Sequence, residues 1–203
     1  MYKFTGNFDF GSLSSGTMLN YDLIPCFVDE IERLRIRNNE PKIPEIEEIK
    51  EKIRKDALND DEVDEDTNTN QESYFESEEA DIDLNEILFD KLNEYAPPFV
   101  DFRSHPGDGA DYGFWIDDES IMDHFFYGDP INKKKVGRNG IPEAGEYLDP
   151  DNEYCLTVNS YGEFVKLENI IVEKIDPPQE TIVDGELIII YKKTTKETIW
   201  ENY

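Results

Sequence analysis

Cysteine, histidine and positive charge are scarce in this 203-residue chain, which carries two Cys, two His and only 20 Lys and Arg against 48 Asp and Glu. A structural zinc site would need every one of those Cys and His, so none is expected. Cys26 and Cys155 read as buried thiols of a reducing compartment rather than as a bridge. No apolar h-region at the start marks a signal peptide. The longest apolar run, near Leu187–Tyr191, falls far short of the ~20 residues that span a bilayer. The expected location is the cytoplasm, without membrane contact.

The formal net charge is -28. Proteins that grip DNA or RNA release phosphate counterions with Lys and Arg. Direct, metal-free binding of nucleic acid is therefore excluded, and a basic protein surface is the expected partner. Walker A, dinucleotide, nucleophile-elbow and HExxH motifs are missing as well. No cofactor is expected, and no internal repeat is visible.

Aromatic residues are plentiful, with 12 Phe, 11 Tyr and 2 Trp, which a wholly disordered chain lacks. The hydrophobic fraction of 37% is low and the charged fraction of 33% is high. The length suits one domain with an acidic mobile insertion, expected at about residues 59–75.

The charge is unevenly spread. Residues 1–55 carry 10 acids and 9 bases, residues 56–132 carry 24 acids with Lys91 and Arg103 as the bases, and residues 133–203 carry 14 acids and 9 bases. Residues 56–90 hold 15 acids and no base. The low-complexity part, 59–71, reads as a disordered acidic loop. From Glu76 onward the acids could imitate a phosphate ladder, provided that ordered structure holds them at regular spacing.

Periodicity supplies the elements. Tyr2, Phe4, Phe8 and Phe10 alternate with polar or small residues and predict an edge strand or hairpin. A helix starts near Asn20 or Asp22 with Pro25 in its first turn, and Leu23, Ile24, Phe27, Val28, Ile31 and Leu34 form its core face. A second helix runs from Pro44 to about Leu58, with Glu47, Glu48 and Glu51 placed to pair with Lys50, Arg54 and Lys55. Asp83 can cap a third, bearing Leu84, Ile87, Leu88 and Leu92, which Pro97-Pro98 ends. Strands are expected at Phe99–Arg103 and Asp111–Ile116, then a short helix capped by Asp117 or Asp118. A loop follows over Gly128–Pro150, with Lys133-Lys134-Lys135 as a basic island. The tail reads as strands Glu153–Val158, Glu163–Leu167, Leu187–Lys192 and Glu197–Glu201, with turns at Asp184-Gly185 and Thr194-Thr195. Strands with segregated helices and no βαβ alternation predict an α+β fold: an antiparallel sheet with three or four helices.

The densest chemistry lies in Asp101–Trp115, where one His, three carboxylates and an Arg fall within eleven residues. His105, Asp108 and Asp111 could act as base or metal ligands, Arg103 as an anion clamp, and Gly107 and Gly109 would permit close backbone approach. The competing reading is a plain hairpin turn, with Asp108 bonding local N–H groups and the aromatics packing between strands. His124 reads as a surface or packing residue. Arg33, Arg35 and Arg37 are balanced by Asp29, Glu30 and Glu32.

The stretches Ala96-Pro97-Pro98-Phe99 and Ser104-His105-Pro106-Gly107-Asp108-Gly109-Ala110-Asp111-Tyr112-Gly113-Phe114-Trp115 resemble a group of small acidic, uncharacterised proteins of bacteriophages, prophages and mobile plasmids. Gly16-Thr17-Met18 before an early helix and the Val158-Asn159-Ser160-Tyr161-Gly162 turn add to the likeness. Asp101-Phe102-Arg103-Ser104 departs from the Tyr-Phe-Gly that usually precedes the His. The resemblance implies provenance, with no reaction attached. Host cytoplasm would then be the setting.

Two functions compete on these grounds, beside a third reading as a scaffold whose acidic loop merely keeps it soluble. The first is a DNA-mimicking, anti-defence binding protein that inhibits a host nucleic-acid-binding protein. Its surface would be built from Glu76, Glu78, Glu79, Asp81, Asp83, Glu86, Asp90, Asp117, Asp118, Glu119 and Asp123, with no catalytic residue. The second is a small-ligand- or metal-binding enzyme organised on the His105–Asp111 loop.

Overall fold

The computed structural model describes residues 10–60, 73–151, 153–183 and 186–201. The expected N-terminal hairpin over residues 2–10 falls outside them except for Phe10. Residues 61–71 of the expected acidic loop and the Asp184-Gly185 turn also lie outside. The fold is α+β, as the element pattern predicts. Two compact units divide it, Asp9–Ala96 with Val100–Ile116, and Pro97–Phe99 with Asp117–Tyr203.

In the unit formed by residues 9–96 and 100–116, β1 (Gly11–Ser14), β2 (Val100–His105) and β3 (Asp108–Ile116) form an antiparallel sheet in the order β1-β3-β2. Gly113 has to be glycine, because a Cβ there would lie 2.0 Å from the Gly11 carbonyl oxygen on β1. Helix α1 (Asn20–Arg37) buries the predicted face, Leu23, Ile24, Phe27, Val28, Ile31 and Leu34. Pro25 is not in its first turn. It is the sixth helical residue, so the Tyr21 carbonyl loses its helical N–H partner.

Helix α2 (Pro44–Asp60) runs slightly past the expected end at Leu58. Its surface carries the predicted pairs, Glu47 with Lys50 at 2.8 Å and Glu51 with Arg54 at 2.8 Å. The chain re-enters at Ser73, where the Asp56 carboxylate accepts from the Ser73 hydroxyl (3.0 Å) and the Tyr74 N–H (2.7 Å). A 3-10 turn, Tyr74–Glu76, leads into α3 (Glu78–Ile82), a π segment (Asp83–Leu88) and α4 (Phe89–Tyr95), which run on without a break in helical backbone.

Asp83 does not cap this helix. Ser77 does, accepting from the Ala80 N–H at 3.2 Å, and Asp83 lies inside. The buried stripe Ala80, Leu84, Leu88 and Leu92 repeats every four residues. That spacing outruns the 3.6-residue α turn, and the wider i→i+5 turns of the π segment absorb the excess. Phe27, Phe89, Phe102 and Tyr112 meet edge to face at centroid distances of 4.9 to 5.9 Å, joining both helices to the sheet. Asn93 of α4 closes the β2 edge, accepting from the Phe102 N–H (2.8 Å) and donating to the Phe102 carbonyl (3.2 Å). A side-chain amide thus replaces a neighbouring strand.

The unit formed by residues 97–99 and 117–203 holds α5 (Asp118–Ile121), a π segment (Met122–Tyr127), a 3-10 turn (Asn132–Lys135) and a sheet ordered β4-β5-β6-β7. Its strands are β4 (Gly145–Leu148), β5 (Tyr154–Val158), β6 (Phe164–Val183) and β7 (Glu186–Glu201). The expected break at Thr194-Thr195 is absent, because threonine suits extended backbone and both residues pair with β6. The expected loop Gly128–Pro150 contains β4, which buries only Tyr147 and so lacks a readable alternation. Trp200, Phe125, Phe126, Tyr147, Leu156 and Leu167 fill the core. Phe99 adopts φ 62, a strained setting for an aromatic residue. Its carbonyl accepts from the Asp117 N–H, and its ring packs on His124, Phe125 and Tyr154.

Candidate functional site

The helix over residues 78–95 turns its apolar stripe inward, and most of its acids face solvent. Glu78, Glu79, Asp81, Glu86 and Asp90 are all exposed there, and Glu76 is exposed just ahead of them. From Glu78 to Asp90 the axial span is roughly 15–18 Å, and the five exposed acids divide it unevenly, at steps of one, two, five and four residues. Phosphates along a single DNA strand repeat evenly, at about 3.4 Å. Lys91 is the one cation of this helix, and it pairs with Glu94 at 2.9 Å. Among the described residues Glu78, Glu86 and Asp90 have no ion pair. Glu79 meets Lys52 at 2.7 Å, and Asp81 accepts from the Asn20 amide at 2.7 Å.

Asp83 differs from the rest. It is 3% exposed. Lys52 Nζ donates to it at 2.7 Å and the Tyr74 hydroxyl donates at 2.8 Å. Burial pulls the Lys52 ammonium down, but Asp83 and Glu79 more than offset this and leave its pKa above the ordinary value. Burial and the neighbouring Asp83 push the Tyr74 phenol upward. Asp83 therefore locks α2 and the 3-10 turn to the helix, and offers nothing to a partner.

Asp117, Asp118, Glu119 and Asp123 belong to the other unit. Asp117 caps α5, accepting from the Ser120 N–H at 3.3 Å and closely from its hydroxyl. Asp118, Glu119 and Asp123 are exposed.

The hairpin of β2 and β3 is tighter than the sequence indicates. His105 pairs with Asp108, leaving Pro106-Gly107 as the turn. His105 Nδ1 accepts from the Gly107 N–H at 3.1 Å, and its ring meets Trp115 edge to face at 4.7 Å. Asp108 accepts from the Ala110 N–H at 3.1 Å, and Gly109 is exposed beside it. These contacts are those of a turn that holds itself. Arg103 and Asp111 lie further along the strands. Arg103 donates to the Ile116 carbonyl at 3.1 Å, yet its Nε and the Asp111 Oδ1 are buried without a hydrogen-bond partner among the described residues. Among the described residues no group of three or more His, Cys, Asp or Glu is placed to hold a metal ion.

A cluster that sequence reasoning missed crosses the four-stranded sheet. Lys196 of β7 donates to Glu146 of β4 at 2.7 Å and to the Cys155 sulfur of β5 at 3.1 Å, and Glu168 of β6 lies 3.6 Å away. The positions are up to fifty residues apart, so no local motif marks them. Burial raises the Cys155 thiol, and the bonds to Glu146 and Cys155 raise the Lys196 ammonium. Neither group is held in its nucleophilic form, so the cluster ties strands rather than performing chemistry. His124, read as a surface or packing residue, meets Phe99 at a tilt and Phe125 edge to face, with Nε2 3.4 Å from the buried Asp149.

Among the described residues no helix is long and apolar enough to cross a membrane. No known protein family, curated protein or solved structure matches this chain.

Proposed function

We propose that this chain is an acidic binding protein which occupies a basic, nucleic-acid-binding surface on another protein. The observation that carries this reading is the helical row Glu78, Glu86 and Asp90, held on ordered backbone without ion pairs among the described residues. A phosphate mimic needs that kind of row, and a floppy acidic tail would not supply it. Complementary fields steer association with a basic surface and favour it over neutral competitors. The likeness to proteins of phages and mobile plasmids makes a host defence protein that handles DNA or RNA the natural target.

The test is competition. Excess chain should displace duplex DNA from its target, and Glu78→Lys, Glu86→Lys and Asp90→Lys together should abolish the displacement at physiological salt. Unchanged displacement by the triple variant would sink the reading.

A second reading rests on Arg103 Nε and Asp111 Oδ1, which have no hydrogen-bond partner among the described residues. Buried polar atoms normally find partners, so a small ligand bearing an anionic group and a donor could complete them. Such a site draws on Arg103 and Asp111 more than on His105 and Asp108, which their own turn already engages. A thermal-shift screen with nucleotides and small anions checks it. A shift that Arg103→Gln removes supports the ligand, and a flat response counts against it.

A further inference from the structure

The sequence before α1 places apolar side chains where a helix start usually hides them. A hydrophobic residue just ahead of the N-cap ordinarily packs onto the first turns as a staple. Here Met18 is 67% exposed, the N-cap residue Leu19 65%, and Tyr21 in the first turn 68%. The start of α1 reaches the acidic helix through Asn20 and Tyr21. Asn20 donates to the Phe75 carbonyl at 3.1 Å and to the Asp81 carboxylate at 2.7 Å, and the Tyr21 ring meets Phe75 edge to face at 5.3 Å. Ile82, 45% exposed, follows Asp81 and lies one turn from Glu78 and Glu86. Exposed apolar side chains thus stand at the start of α1 and at Ile82, on the two elements that the Asn20–Asp81 hydrogen bond joins, with Asp22, Glu78 and Asp81 within four residues of them in sequence.

Exposed charges alone bind weakly in salt, because screening acts within about 8 Å at physiological ionic strength. Tight interfaces draw their energy from a few buried aromatic and aliphatic anchors, while the charged rim sets rate and orientation. We propose that Met18, Leu19, Tyr21 and Ile82 are the apolar anchor of a docking surface for a basic amphipathic helix of a partner protein. This rests on the reading of the acidic helix as partner-facing, and adds what a pure phosphate mimic would lack. The carboxylates select the occupant, since Lys and Arg flanking an apolar helix face would meet Asp22, Glu78 and Asp81. A neutral or acidic helix would leave those carboxylates desolvated and unpaired.

Two synthetic probes decide it, both titrated against the full chain at about 0.15 M salt. One is a Lys/Leu amphipathic helical peptide, and the other is an oligolysine of equal charge. The amphipathic peptide should bind more tightly. Leu19→Ser with Tyr21→Ser should weaken it about tenfold and leave oligolysine unchanged, and Met18→Ser alone should act in the same direction. Ile131→Ser, at an exposed apolar site of the other unit, should change neither. Equal binding of both peptides, or no effect of the Met18, Leu19 and Tyr21 substitutions, overturns the anchor. If Glu78→Lys, Glu86→Lys and Asp90→Lys still weaken both probes in that case, the acidic reading survives alone. If that triple variant weakens neither, both readings fall.

Discussion

Helix α2 and the helix over residues 78–95 are both rich in carboxylates, yet they treat them in opposite ways. On α2 the acids up to Asp56 sit three or four residues from a base, and two of them close ion pairs, while exposed Glu45 and Glu48 have none among the described residues. Glu47 meets Lys42 and Lys50, and Glu51 meets Arg54 and Lys55. On the later helix the acids outnumber Lys91, and Glu78, Glu86 and Asp90 find no ion pair among the described residues. The one acid there with two tight donors, Asp83, is buried. Ion pairs with its own or nearby bases hold Glu47 and Glu51 of α2, whereas the unpaired acids of the later helix outnumber its single base.

The comparison breaks first at Asp83. Asp83→Ala should cost roughly 2 kcal/mol in chemical denaturation, because it leaves the Tyr74 hydroxyl without its acceptor and takes one of the two carboxylates that hold Lys52. Glu86→Ala on the same helix should stay within about 0.5 kcal/mol. Similar losses at the two sites would dissolve the distinction between structural and presented acids. Next comes Asn93→Ala, expected to cost about 2 kcal/mol by leaving the Phe102 N–H and carbonyl unpaired at the sheet edge.

Smaller effects sharpen the contrast. The Lys42 and Lys50 ammonium groups hold the Glu47 carboxyl down at about 2, from an ordinary value of 4.5. Hydrogen bonds from Arg35, Arg54 and Lys196 lower Glu32, Glu51 and Glu146 in turn. A depressed folded pKa contributes stability that is complete above the unfolded value and lost as pH falls through the folded one. Thermal melts should therefore weaken between about pH 4.5 and pH 2, and Glu47→Gln should shrink that loss. Last, added salt should raise the melting temperature by screening self-repulsion. Neutralising Glu78, Glu86 and Asp90 should flatten that response, whereas neutralising Glu47 should not.

Much of the local architecture was legible. The face of α1 follows from its 3.6-residue spacing, and the i,i+3 pairs of α2 from charge order. Asp117 acts as the expected cap, and Pro106-Gly107 turns the hairpin. The stripe Leu84, Ile87, Leu88 and Leu92, read as an α pattern, starts the helix too late and turns Asp83 into a cap, because the small Ala80 that extends the buried stripe gives a weak apolar signal. The cluster of Glu146, Cys155, Glu168 and Lys196 could not be read at all, since strand register brings it together.

The sequence by itself determined where the charge lies, which helical faces are apolar, and that helices and antiparallel strands segregate. These are properties of composition and short-range spacing, which every copy of the chain carries before it folds. Only the tertiary structure decided which carboxylates are spent internally and which remain on the surface. Asp83 and Glu86 are both acids on one helix, three residues apart. What separates them is the position of Lys52 and Tyr74, and long-range packing alone sets that.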